Sequence, residues 1–166
     1  MQAVGEVYDC DEESYINGFL AAAGVGNVVT NQACVAGAVG GCQAEVGTAA
    51  AMAAACAVAM MGGTTEEVVT AMTLCMKNVL GLVCDPVAGL VEVPCVKRNG
   101  IYAVHALASA EMAMAGLRSR IPADEVIGAM DSIGRALPEA LRETSEGGLA
   151  RTKTGMDITK RLAHQK

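Results

Sequence analysis

Between Ser14 and Thr65 the chain carries one charged side chain, Glu45; residues 14–44 and 46–65 carry none. A run of that length without charge belongs inside something, either a bilayer or a protein core. A membrane-spanning helix needs about 20 predominantly apolar residues. The first run is glycine-rich and holds Asn17, Asn27, Asn31 and Gln32, so it is not lipid-like. The second is dominated by alanine, which is only weakly apolar, and closes on Gly62-Gly63-Thr64-Thr65. A buried central helix is the expectation for residues 43–61. The N-terminus shows neither the basic region nor the apolar stretch of a secretion signal, and the chain reads as soluble and cytoplasmic, with no membrane segment.

Composition narrows the function classes. Hydrophobic residues make up 52% of the 166 positions, which excludes disorder as the main state. The net charge is −6, aromatic residues are 2% and tryptophan is absent. Such a chain has neither the basic footprint nor the stacking platforms of a nucleic-acid binder. With 19 glycines and abundant alanine, the core must be built from small side chains, and the ten methionines fill gaps. Small side chains each bury little apolar area, at about 25 cal/mol per Å². Contact with a larger body, a second domain or a second copy of the chain, is therefore expected, and homo-oligomerisation with it.

The periodicity is helical throughout, and the fold class expected is all-α: a compact bundle of five to six helices with one long Gly/Pro-containing loop. Asp11-Glu12-Glu13-Ser14 suits a helix start, because acidic side chains complement the positive end of the helix dipole. That helix is expected to run through Tyr15–Ala23 and stop near Gly24–Gly26. Residues 37–41 read as a glycine-rich loop. Thr64 and Glu67 have capping-box spacing ahead of a helix containing Val68, Met72, Cys75, Met76 and Val79. Residues 81–94 contain two glycines and two prolines, too many breakers for a helix. Further helices are expected over 98–116, from Pro122 onward and briefly after Pro138, with 145–148 as a linker. Three regions result: an N-terminal helical segment 1–36, a central domain 37–148 and a C-terminal tail 149–166.

The seven cysteines are odd in number and form no C-x-x-C pair, so disulfide frameworks, zinc ribbons and thioredoxin-like motifs find no support. Cys56 and Cys75 fall inside helical runs of Ala, Leu and Met, where cysteine behaves as a small hydrophobe. Cys10 sits in a polar segment, and the surroundings of Cys34 are not decided by pattern. Cys42, Cys84 and Cys95 stand beside breakers, in Gly40-Gly41-Cys42, Cys84-Asp85-Pro86 and Pro94-Cys95. Cys42 and Cys95 directly precede predicted helices, whose free N–H groups favour a thiolate. Three such thiolates suit a soft metal or an iron–sulfur cluster; three unrelated loop cysteines are the alternative that spacing leaves open. Glu45 and Asp85, beside two of these thiols, are candidates for supporting hydrogen bonds or for a general base, with helix capping as the plain alternative. His105 reads as a structural histidine within a helix, and His164 as a solvated one. No P-loop or G-x-S-x-G motif occurs.

Two longer strings go further. Gly40-Gly41-Cys42-Gln43-Ala44-Glu45-Val46-Gly47 and the segment from Gly81 to Asn99, GLVCDPVAGLVEVPCVKRN, resemble the iron–sulfur-dependent bacterial L-serine dehydratases, in particular the alpha chain of the two-subunit type. The resemblance extends to Ile121–Ile127 and Leu141–Thr144. It implies that Cys42, Cys84 and Cys95 hold a [4Fe–4S] cluster with one open iron, and that pyridoxal phosphate is not used. It also implies that L-serine binds at that iron, whose Lewis acidity stabilises the departing hydroxide, and that loss of the α-proton leads through aminoacrylate to pyruvate and ammonia. Lys97, Arg98 and Asn99 are then expected to shape an anion-accepting site. A beta subunit or beta domain is the implied partner. The family's Thr-Asn-Gly-like and Ser-Ser-His-Thr-like stretches have no counterpart here, and residues 1–36 match less well. The chain is accordingly expected to be the C-terminal, cluster-binding part of an alpha chain, inactive alone.

Overall fold

In a computed structural model that describes residues 1–164, the alanine-rich run becomes the helix around which the rest is arranged. In chain order the helices are α1 Gln2–Tyr8, α2 Glu12–Gln32, α3 Gly37–Gly40, α4 Cys42–Met60, α5 Thr65–Lys77, α6 Cys95–Met114, α7 Ala123–Ala136 and α8 Lys153–Ala163. Short 3-10 turns occur at Val87–Gly89, Glu139–Leu141 and Gly148–Arg151. Among the described residues there is no β-strand beyond an isolated parallel bridge between Cys84 and Arg142. The all-α expectation holds. The eight helices among the described residues exceed the expected five to six, because no separate helix was assigned to residues 2–8 and the single-turn α3 lies in the segment read as a glycine-rich loop.

Helices α2, α5 and α6 pack on α4, and α5 packs on α6. Ala51, Ala54, Ala55 and Ala57 of α4 are fully buried, so the helix axes approach closely, and Met72, Met76 and Met130 close the remaining space. By length and apolarity α4 would be able to cross a membrane, but 72% of its most apolar stretch is buried against the other helices. It is the core helix of the bundle.

Helix α2 runs past the glycines at which it was expected to stop. Each interior glycine costs about 1 kcal/mol relative to alanine, yet two glycines of α2, Gly18 and Gly26, face α4, while Gly24 has open space around it. A β-carbon at Gly18 would lie 2.9 Å from the Cys56 sulfur, and one at Gly26 would lie 3.0 Å from the Met52 methyl. Packing against α4 outweighs the propensity that predicted a break. Val25 and Val29 of α2, and Val4 of α1, are the residues of segment 1–36 that are buried in the main core.

Local signals were more dependable. Asp11 caps α2 by accepting from the Ser14 N–H at 2.9 Å. Thr64 and Glu67 form the reciprocal capping box at the start of α5. Residues 81–94 are irregular apart from the Val87–Gly89 turn. The tail read as 149–166 contains a turn and α8; its last two residues, 165 and 166, lie outside the described part.

Candidate functional site

Three separate pieces of local structure converge at the N-terminal end of α4. Cys42 is the first residue of α4 and Cys95 the first of α6. Cys84 lies on the irregular segment between α5 and α6, and its backbone is pinned on both sides: its N–H donates to Leu141 C=O at 2.9 Å, and its C=O accepts from Glu143 N–H at 2.8 Å. All three thiols line one cavity of about 220 Å³, with Glu45, Asn99, Glu143 and a few apolar side chains completing the wall. Cys42 and Cys84 are buried and Cys95 is partly so.

The turn into α4 depends on Gly41. Its φ of +76° is a conformation L side chains avoid, and a β-carbon there would meet Leu82 C=O at 2.8 Å. Gln43, fully buried, then ties the start of α4 to two other elements. Its side-chain amide N–H donates to Met130 C=O at 2.9 Å, and its oxygen accepts from Gly81 N–H at 2.9 Å. Gln43 was part of the string that carried the resemblance, but no motif marked it as a tie between α4, α7 and the Cys84 loop.

The expected charged residues divide into distinct environments. Glu45 lines the thiol cavity and also a neighbouring cavity of about 350 Å³, and Asn99 lines both. Asp85 is 3% exposed and has both oxygens engaged: Oδ1 accepts from Arg98 Nη2 at 2.9 Å and Oδ2 from Leu149 N–H at 2.8 Å. Arg98 also donates from Nη1 to Val83 C=O at 2.8 Å, and the same nitrogen lies 3.6 Å from Cys42 Sγ. Lys97 is exposed on α6 and is not part of the cavity wall. Glu143 is a charged lining residue that the sequence reading did not single out as functional. Its carboxylate and that of Glu45 both come within 4 Å of the position a Gly37 β-carbon would occupy, as does the Cys84 sulfur.

The other cysteines stay apart. Cys56 and Cys75 are buried in the helical core, and Cys10 donates to Met60 C=O at 3.4 Å. Cys34 lies in the connection after α2, away from the cavity wall. His105 is held by an Nε2 contact of 2.9 Å to Cys75 C=O and by the edge of Tyr102, a structural setting. His164 is exposed at the end of α8.

The electrostatics of the thiols differ from the simple helix-start expectation. Burial first, and the neighbouring Cys42 second, push the Cys95 thiol above its ordinary value, against the opposing pull of Arg98. Cys84 is pushed well up by burial and then by Cys42, with Glu143 adding to the effect. Crowded thiols in a poorly solvated wall resist ionising together, and a multivalent cation is what relieves that repulsion. Among the described residues no three His, Cys, Asp or Glu side chains are placed to hold a single metal ion. A single ion needs its sulfur donors about 2.3 Å from one point. A multi-iron core takes its sulfurs at separate corners, and a cavity of this volume holds several heavy atoms, since one water accounts for about 30 Å³ in the liquid. The donor set fits an iron–sulfur core better than a mononuclear site.

Comparison with known proteins places these residues in context. The family described as "Serine dehydratase alpha chain" matches residues 1–150. The probable L-serine dehydratase alpha chain of Bacillus subtilis is 56% identical over 160 residues, covering 96% of this chain and 53% of the relative. That of Latilactobacillus sakei is 58% identical over 155 residues, covering 93% of this chain and 74% of the relative. The L-serine dehydratase alpha chain of Peptoniphilus asaccharolyticus is 52% identical over 156 residues, covering 94% and 53%. The chain thus spans about half the length of two of these relatives, and the matches take in the segment 1–36.

Proposed function

The chain belongs to the serine dehydratase alpha-chain family, and from that premise we propose that it is the cluster-holding part of a cytoplasmic L-serine ammonia-lyase that converts L-serine to pyruvate and ammonia. The observation that carries this reading is the meeting of three thiols, remote in sequence, on the wall of one cavity. Cys42, Cys84 and Cys95 would hold a [4Fe–4S] cluster. When bound, that cluster supplies the Lewis acidity that makes hydroxide a tolerable leaving group.

This chain's own residues would bind and orient the amino acid. Glu45 and Glu143 present two carboxylates at the cavity wall, both acceptors for the substrate ammonium or for a proton. Asp85, with both oxygens engaged, is a structural partner of Arg98, which leaves Glu45 as the expected carboxylate free to take the α-proton. Asn99 offers side-chain N–H donors between the two cavities, where the substrate carboxylate would be received. Val46, Val91 and Val96 add apolar surface to the wall beside the thiols.

A beta partner or a second copy completes the assembly in this reading. Its support is the apolar surface left outside the core: Phe19, the chain's one phenylalanine, is 59% exposed, and Ile101 and Val104 of α6 are 66% exposed. The test is anaerobic reconstitution of the chain with iron and sulfide, with and without the beta partner. About four irons per chain and visible absorbance are expected, with pyruvate released from L-serine when the partner is present. A colourless helical oligomer that retains no iron refutes the proposal.

A further inference from the structure

Arg98 was expected to help receive an anionic substrate, and its surroundings point elsewhere. Its side chain is 17% exposed, and the guanidinium is spent on partners within the chain. Nη1 donates to Val83 C=O, the residue before Cys84, at 2.8 Å, and the same nitrogen lies 3.6 Å from Cys42 Sγ. Nη2 donates to Oδ1 of Asp85, the residue after Cys84, at 2.9 Å. Arg98 itself sits three residues beyond Cys95, within the first turn of α6. From the segment that carries Cys95, one planar fork therefore reaches the other two thiol-bearing segments, and through Asp85 it reaches the Leu149 N–H as well. Gly148 allows that last contact by packing against the Asp85 side chain, where a β-carbon would collide.

We propose that Arg98 is a positioning residue for the iron–sulfur core: its N–H···S contact to Cys42, together with its bonds on either side of Cys84, fixes the spacing of the three thiols and tunes the core's electronics. This inference rests on the cluster reading above. Hydrogen bonds to ligand sulfurs stabilise the more electron-rich, reduced core and so raise its potential. Groups that orient metal ligands typically cost about 10–100-fold in metal affinity when lost. Lysine keeps the charge that Asp85 needs but lacks the fork that reaches carbonyl, carboxylate and sulfur at once.

The test reconstitutes the full chain anaerobically as wild type, Arg98→Lys and Arg98→Met, and measures iron release to a chelator, the reduction potential of the core and the melting temperature without iron. Arg98→Lys is expected to fold, to lose iron roughly tenfold faster or more and to show a more negative potential. Arg98→Met should show the same shift in potential at least as strongly. Should Arg98→Met fail to fold, Arg98→Lys alone carries the test. A folded, loaded Arg98→Lys chain with wild-type release and potential overturns the inference while leaving the cluster reading intact. A lowered melting temperature with unchanged potential also overturns it, since it marks a purely structural residue. A wild-type chain that takes up no iron overturns the cluster reading and the inference with it.

Discussion

Cys56 and Cys75 lie within α4 and α5 among alanine and methionine, whereas Cys42, Cys84 and Cys95 stand at two helix starts and on a loop around one cavity. The first pair is surrounded mainly by apolar side chains, and burial, against an opposing bond from Ser109, pushes the Cys75 thiol up to about 12. The second set is surrounded by groups that bond: a guanidinium near Cys42, backbone ties to 141–143 at Cys84, and two carboxylates at the wall. Alike in residue type and both largely withdrawn from water, the two sets differ in whether anything nearby would reward a thiolate. Burial among apolar side chains makes a cysteine inert, whereas burial beside other thiols and a cation gives it the surroundings that a metal cluster would need.

The contrast is open to direct attack. The largest effect is expected from Cys42→Ser, Cys84→Ser or Cys95→Ser, each of which should abolish iron retention after anaerobic reconstitution. Cys56→Ser should keep it, and equal loss of iron in the Cys56 variant would erase the distinction. Next comes Glu45→Gln, measured with the beta partner present: kcat for pyruvate formation should fall by about 10²-fold or more while iron content stays at the wild-type level. Unchanged turnover would remove Glu45 from the chemistry.

A smaller effect probes the core in isolation. Gly18→Ala places a β-carbon 2.9 Å from Cys56 Sγ and 3.1 Å from the Cys56 carbonyl. Overpacking of that kind costs about 1–3 kcal/mol, seen as a lower denaturation midpoint, and the amount of iron bound at saturation should not change. Iron loss in step with stability would show that core and cavity are one cooperative unit.

The smallest effect concerns acid. Glu67 is held below its ordinary value by the Thr64 backbone N–H and then by the Thr64 hydroxyl, and Asp11 is lowered by its bonds to Ser14. A carboxylate whose folded-state value is depressed contributes stability above its unfolded value and loses it as the pH falls through the folded one. The melting temperature should therefore drop across the acidic side of the carboxylate range, and less steeply in Glu67→Ala. An unchanged slope would mean that the cap contributes nothing there.

Much of the fold was legible because its signals are local. The capping box at Thr64, the acidic start at Asp11, the α4 run and the irregular 81–94 segment all depend on neighbours a few residues apart. What failed did so for tertiary reasons: α2 continues through its glycines because α4 is packed against Gly18 and Gly26, and α3 forms as a single turn where Gly40 meets Gly134. At the site, the three thiols were legible from their breakers and from the family strings. Glu143, Gln43 and the inward role of Arg98 were not, since a carboxylate or guanidinium in a loop or helix looks the same in sequence whether it faces solvent or a carbonyl.

By itself, then, the sequence determined an all-helical chain with a small-residue core and three cysteines set apart by glycine and proline. Only the tertiary structure decided that those cysteines share one cavity, which charges border it and which are already neutralised by partners. Helix formation and capping are settled within a turn or two of chain. The pairing of Arg98 with Asp85 and of Cys84 with the 141–143 segment depends on where distant backbone comes to rest. That is a property of the packed core.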